Sequence, residues 1–250
     1  EESALNLALL RPDEDANIVQ TYRPNPRSNG GLFNIFHCSP DIITNVDKSW
    51  DYFEGTLFFA GEPYSLGGCD YVYKLEVEHS DFLDASYFEP TDEEIQSVVE
   101  KVEQYIGVTP TLDFAFKLAT SDDTNSQFDK FYTEEEQREM FSGRWGYSGL
   151  GELGIWLQGF HARVARRMGY LGAVGEDEQG TVWMIDMVGR EELLTNVKYY
   201  GDEDFYEWKR KNPSTEWFKT QRLQNDDDGY LINPDTNDIY WFHGSPGGGL

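Results

Sequence analysis

The stretch from Met168 to Ile185 is MGYLGAVGEDEQGTVWMI, and it indicates how the chain folds. A helix pattern ends near Gly169 and leads into an apolar segment at 170–176. Three acids then separate this segment from a second apolar one at 181–188. Two short apolar segments around a polar turn predict a β-hairpin, so helix and hairpin follow each other here.

The segments before this stretch extend the pattern. Strands are predicted at Leu32–Phe36, Gly55–Phe59 and Tyr71–Glu78, from apolar runs and alternation. Capping boxes at Thr91–Glu94 and Thr133–Glu136 predict helix starts. Apolar residues three or four positions apart predict one further, long helix, with its face formed by Leu150, Leu153, Leu157, Phe160, Val164 and Met168. Strands, then helices, then strands predict an α+β fold.

Three domain segments are predicted. Residues 1–30 are broken by proline and form an N-terminal arm. Residues 31–190 form the main domain. Residues 191–250 are rich in aromatic side chains, so we expect this C-terminal extension to pack on the domain or on a partner.

Composition restricts the partners. The 250 residues carry a formal charge of −26, from 46 acids against 20 Lys and Arg. Such a chain repels phosphates, so we expect no direct nucleic-acid binding and instead a basic partner, such as a nucleic-acid-binding protein or complex. No apolar run approaches the ~18 residues of a membrane span, and no signal peptide is visible, so a cytoplasmic location is expected. The His and Cys spacing predicts no metal site.

Two segments are candidates for binding a ligand. His37, followed by Ser39, ends the first predicted strand, where a neutral imidazole can bond a ribose hydroxyl or an amide. The alternative is a structural histidine. Phe59 and Tyr64 flank a glycine-containing strand end and can form a slot for a planar ring, although core aromatics explain them equally well.

The acidic turn is the candidate for catalysis. It consists of Glu176, Asp177 and Glu178. A carboxylate here can stabilise a cation that develops in a transition state. The alternative is a solvated hairpin turn. The period of a strand places Glu176 and Glu178 on one face and Asp177 on the other, so the acids cannot share one role equally.

Together the segments Ile35–Ser39, Arg167–Tyr170 and Glu176–Trp183 resemble the ADP-ribosyltransferases, closest to the small phage-type anti-CRISPR members. The resemblance covers roughly 31–190. It implies a split sheet around an NAD cleft with flanking helices. NAD would be the substrate, with no metal.

The resemblance also implies roles for single residues. His37 and Ser39 would bind NAD, and Phe59 or Tyr64 would stack on nicotinamide. Asp177 is the first choice for the catalytic acid and Glu178 the second. The chain departs from the family at Cys38, which replaces the usual glycine, in its long acidic segment 78–104, and in its C-terminal extension.

Three functions follow as hypotheses. The first is a mono-ADP-ribosyltransferase of a phage or bacterium that modifies a host protein in the host cytoplasm. The second is a non-enzymatic acidic inhibitor that mimics nucleic acid and binds a basic partner. The third is a catalytically inactive transferase fold used as a virion or scaffold protein, because a fold does not determine function.

Overall fold

The computed structural model describes residues 31–48, 53–63, 71–142, 146–177, 180–197, 205–219 and 229–242. Within these residues the fold is α+β, as predicted. The strands are β1 (Leu32–Ser39), β2 (Thr56–Phe59), β3 (Tyr71–Glu78), β4 (Phe82–Asp84), β5 (Gly172–Asp177), β6 (Gly180–Asp186), β7 (Thr195–Val197), β8 (Glu216–Lys219), β9 (Gly229–Ile232) and β10 (Ile239–Phe242). The α-helices are α1 (Asp92–Ile106), α2 (Leu112–Ala119), α3 (Thr124–Phe131), α4 (Glu134–Phe141), α5 (Gly146–Arg167) and α6 (Phe205–Lys211).

The chain divides into two compact units. The described residues of the first unit are Gly31 and those within 47–57 and 78–188. The described residues of the second unit lie within 32–46, 58–77 and 189–250. The predicted arm at 1–30 lies outside the described residues, and the predicted boundary at 190 stays a prediction. No helix in the described part of the chain is long and apolar enough to cross a bilayer.

A four-stranded sheet in the order β2-β6-β5-β4 carries the predicted hairpin. β5 and β6 are antiparallel, with a register that runs from Ala173 opposite Met184 to Asp177 opposite Gly180. β4 pairs in parallel with β5. Gly172 is required at the start of β5, because a Cβ atom there would collide with the carbonyl oxygen of Met184. The predicted hairpin is therefore confirmed.

Both predicted capping boxes are confirmed, and α1 shows the complete pattern. The hydroxyl of Thr91 accepts from the Glu94 amide at 3.2 Å, and the Glu94 carboxylate accepts from the Thr91 amide at 2.8 Å. These bonds satisfy amides that have no partner inside the helix. Gly107 ends the helix at φ 85°, a left-handed conformation that glycine adopts without strain.

The long helix α5 packs on β5, β6 and α1 through the predicted apolar face. Four members of that face, from Leu153 to Val164, are buried. The cations at its end make specific pairs that the sequence did not predict. Arg166 pairs with Asp186 at 2.9 Å, and Arg167 pairs with Glu94 at 2.6 Å. These pairs tie the helix end to the sheet and to α1.

The second unit contains two three-stranded sheets, with the orders β1-β3-β7 and β10-β9-β8. Much of its core is aromatic. One cluster joins early and late parts of the chain through Phe36, Val72, Tyr230, Ile239 and Trp241. A second cluster is formed by Trp208, Leu231 and Phe242. The late aromatic residues are thus part of the core of this unit.

The first strand is longer than predicted. The apolar run suggested an end at Phe36, but β1 continues to Ser39. Phe36 exchanges two backbone hydrogen bonds with Ala60, at 2.8 and 2.9 Å, and β1 also pairs with β3, so the extended conformation persists. Pro40 follows and has no amide hydrogen to donate. His37 therefore lies inside the strand and not at its end, which corrects the prediction.

Candidate functional site

The side chain of His37, in β1, is held by a hydrogen bond to the backbone of β2. Its Nδ1 lies 2.8 Å from the carbonyl oxygen of Phe58. A carbonyl can only accept, so Nδ1 carries the hydrogen. Burial lowers the pKa of His37, and the bond to Phe58 raises it by less, so the ring is neutral at pH 7. Nε2 consequently bears a lone pair, and it has no hydrogen-bond partner within the described residues.

Two aromatic rings flank this imidazole. The ring of Phe59 is centred 5.6 Å from that of His37, and the ring of Tyr73 is centred 6.5 Å away. Phe59 is only 1% exposed, whereas His37 is half-buried. Phe59 thus supports the imidazole from inside the core. Tyr64, the other predicted stacking residue, lies outside the described residues.

Tyr73 is a contributor that the sequence analysis missed. Its hydroxyl accepts from the Ile43 amide at 2.7 Å, which fastens the segment after β1. Ser39 acts within that segment: its hydroxyl donates to the Asp41 carbonyl at 2.7 Å and accepts from the Asp41 amide at 3.2 Å. The alternation of β3 was the only sequence signal for Tyr73, and it indicated burial alone. The structure thus brings together His37, Phe59 and Tyr73.

The acidic turn is described in part. Glu176 is exposed, and its carboxylate accepts from the Thr181 hydroxyl at 3.0 Å across the hairpin. The backbone of Asp177 pairs with Gly180. The side chain of Asp177 and all of Glu178 lie outside the described residues. Their predicted catalytic role stays a prediction.

A cavity of about 660 Å³ lies beside the base of this hairpin, in the first unit. It is a half-open pocket lined by α5, by β5 and β6, and by the segment that leads into α3. His161 of α5 lines it and is buried. Burial lowers the pKa of His161 to about 4, with the carbonyls of Leu118 and Ala119 opposing this shift only partly. The imidazole is therefore neutral at pH 7.

His161 was not predicted as a site residue. It sits within the apolar face of a helix, where a histidine usually packs as a core residue, and the ring of Phe88 does pack edge-on against it at 5.3 Å. Its Nε2 nevertheless has no hydrogen-bond partner within the described residues. No group of three or more metal-binding side chains occurs in the described ranges.

Comparison with solved structures gives a weak similarity. No protein-family model matches the chain, and no curated protein matches it. A solved structure described as the crystal structure of an anti-CRISPR protein aligns with a TM-score of 0.34 and 18% sequence identity. The alignment covers 64% of this chain and 93% of that chain.

Proposed function

We propose that this chain is an NAD-dependent mono-ADP-ribosyltransferase that modifies a protein. The observation that supports the proposal most is the state of His37. Its Nδ1 is bonded to the backbone, and its Nε2 is left with a lone pair in a half-buried position. A ribose hydroxyl is a donor that fits such an acceptor. The finer fold assignment, a split sheet around an NAD cleft, belongs to the same proposal.

The roles of the protein groups follow from their chemistry. His37 would accept a hydrogen bond from NAD, with Phe59 and Tyr73 fixing the plane of the ring. NAD supplies a ribose whose bond to nicotinamide can break, which leaves positive charge on the sugar. Asp177, or Glu178 in its place, would stabilise that charge electrostatically. Ser39, bonded to Asp41, would keep the chain beyond β1 in position.

The experiment incubates the protein with labelled NAD and host lysate, and measures protein labelling, NAD hydrolysis and NAD affinity. Asp177→Asn is expected to lower turnover about 100-fold while NAD still binds. Glu176→Gln is the matched control, because it changes the same strand and the same charge and should stay active. The Glu178→Gln variant separates the two candidate acids. Absence of both transfer and hydrolysis in the wild-type protein would overturn the proposal.

His37 is tested separately through binding. His37→Asn retains a side-chain donor for the Phe58 carbonyl but loses the acceptor nitrogen, so NAD affinity should fall about tenfold. His79→Asn is the control, since His79 lies in the turn after β3. Equal NAD affinity of the two variants would contradict the assigned role of His37.

Exposed runs of acids favour one second function, an acidic inhibitor that mimics nucleic acid. α1 begins with the exposed acids Asp92 and Glu93, and α4 begins with the exposed run 134–136. A mimic should bind a basic nucleic-acid-binding protein without NAD and should compete with duplex DNA for it. The affinity should fall steeply between about 50 and 200 mM salt. Neutralising 134–136 with glutamine should weaken this binding. Binding that is insensitive to salt would exclude the mimic.

A further inference from the structure

The segment that follows β1, residues 40–46, is an irregular strap on the surface of the second unit. Within the described residues, no hydrogen bond between backbone groups holds it. Five of its seven side chains are exposed, whereas Ile43 is half-buried and Val46 is 2% exposed. A segment with so few backbone bonds and buried contacts opens at a lower free-energy cost than the sheet that it follows.

Two side chains from distant parts of the second unit hold the strap in place. The hydroxyl of Tyr73, in β3, accepts from the Ile43 amide at 2.7 Å. The carboxylate of Glu191 accepts from the Val46 amide, also at 2.7 Å. This bond to Val46 lowers the pKa of Glu191, so the carboxylate is ionised at pH 7 and forms the stronger, charge-assisted kind of hydrogen bond. The strap is therefore docked through two specific anchors.

Tyr73 connects the strap with the imidazole of His37. Its ring is centred 6.5 Å from that of His37, with 34° between the two planes, while its hydroxyl is bonded to the strap. Tyr73 is only 2% exposed, and a buried hydroxyl needs a hydrogen-bond partner, which the Ile43 amide provides. When the strap undocks, the hydroxyl loses this partner and the ring is no longer fixed beside the imidazole.

We propose that the strap controls access to Nε2 of His37, with Tyr73 as the positioning residue that couples the two. The docked strap holds the Tyr73 ring beside the imidazole and restricts the approach to Nε2. Undocking releases the ring, so a ligand enters in the undocked state and is retained when the strap docks again. This inference rests on the proposed function only in naming NAD as the ligand. The coupling itself is a property of the protein without NAD.

Hydrogen exchange at the Ile43 and Val46 amides, followed by NMR without NAD, measures docking of the strap. Tyr73→Phe keeps the ring but removes the acceptor of the Ile43 amide, and Glu191→Ala removes the acceptor of the Val46 amide. Because the strap undocks as one segment, each variant should accelerate exchange at both amides by about fivefold, which corresponds to the loss of one hydrogen bond.

Matched substitutions control for the loss of a hydroxyl or a carboxylate elsewhere. Tyr87→Phe and Glu192→Ala change exposed side chains that make no hydrogen bond to the strap, and they should leave both exchange rates unchanged. If each anchor variant accelerates only the amide that lost its own acceptor, the two anchors are independent and the strap does not move as a unit, which refutes the proposal.

Reaction with diethyl pyrocarbonate measures access to Nε2 of His37. The reagent acylates a neutral imidazole at the nitrogen with the lone pair, and in His37 this is Nε2, because Nδ1 donates to the Phe58 carbonyl. Peptide mass spectrometry follows His37, with His79 as an internal standard. Tyr73→Phe and Glu191→Ala should each raise the rate at His37 about fivefold and leave that at His79 unchanged. Equal His37 rates in the wild type and both variants would overturn the coupling.

Addition of NAD to the same reaction separates this inference from the proposed function. Protection of His37 by NAD supports the function, and absence of protection would contradict the function while the strap result stands. Protection together with equal rates in the anchor variants would refute the strap alone. Circular dichroism establishes that the variants are folded. Should Tyr73→Phe not fold, Glu191→Ala against Glu192→Ala still decides the proposal.

Discussion

Gly154 and Gly159 lie five residues apart in α5, yet an added methyl group should change the free energy of unfolding in opposite directions. Alanine at either position removes the conformational freedom of glycine in a helix interior, which stabilises by about 0.5–1 kcal/mol. The surroundings then decide the sign. At Gly154 the nearest atom to a new Cβ is the Thr124 hydroxyl at 3.8 Å, an ordinary contact.

The surroundings of Gly159 are much tighter. A Cβ atom there would lie 2.9 Å from the carbonyl oxygen of Phe53 and 3.3 Å from Nη1 of Arg163. The nearest obstacle is backbone, which cannot rotate away, and overpacking costs about 1–3 kcal/mol. After the helix gain is subtracted, Gly159→Ala should lose about 1 kcal/mol, whereas Gly154→Ala should gain nearly as much.

Urea denaturation followed by circular dichroism measures both changes. The two midpoints should lie on either side of the wild-type midpoint at an unchanged slope, and the melting temperatures should differ by about 4–8 °C. Gly151→Ala is the control, because nothing lies within 4 Å of its new Cβ, and it should follow Gly154→Ala. A Gly159→Ala variant at least as stable as Gly154→Ala would refute the assumed close approach of α5 to Phe53.

Three other substitutions test separate contacts. His161 has a pKa of about 4 in the folded protein, against 6.5 in the unfolded chain. Between these two pH values unfolding takes up a proton. The free energy of unfolding therefore falls as the pH drops from 6.5 to 4, by up to about 1.4 kcal/mol per pH unit. His161→Phe should flatten this part of the pH profile, and an unchanged profile would contradict the buried neutral ring. Asp186→Asn weakens the bonds to Arg166 and to the Val188 amide. It should lower the free energy of unfolding, measured by urea denaturation, by about 2 kcal/mol. Thr91→Ala removes the cap of α1 and should cost about 1 kcal/mol in the same assay, whereas a loss below about 0.3 kcal/mol would show that the cap is dispensable.

Local chemistry made the elements of the first unit predictable. The capping boxes were visible because both partners of each lie within four residues, so the sequence contains the whole interaction. The hairpin at 172–186 was visible because two apolar segments surround a polar turn. Period 3.6 identified α5 because its 22 residues repeat the apolar pattern several times. For His37, the sequence indicated a polar residue on an apolar strand, although it placed the strand end too early.

Contacts between distant residues were not predictable in the same way. α2 and α3 have eight residues each, too few to establish a period, and they were missed. The pair of Arg167 with Glu94 joins residues 73 positions apart, and no local pattern specifies it. The cavity is likewise defined by the approach of three segments, so His161 looked like any residue of an apolar helix face. The site proposed for NAD needs this three-dimensional information as well.

The interleaving of the two units has a consequence for synthesis on the ribosome. The last residue of the first unit is 188. All described residues of this unit are therefore outside the exit tunnel once residue 188 has emerged. Phe36 and Val72, by contrast, belong to a cluster with Tyr230, Ile239 and Trp241, which are synthesised much later. The early strands β1 and β3 must therefore wait with their apolar faces uncovered while some 150 residues are added. The second unit is completed only after β9 and β10 have left the tunnel, and a nascent chain stalled before residue 229 exposes an unpaired, aggregation-prone surface.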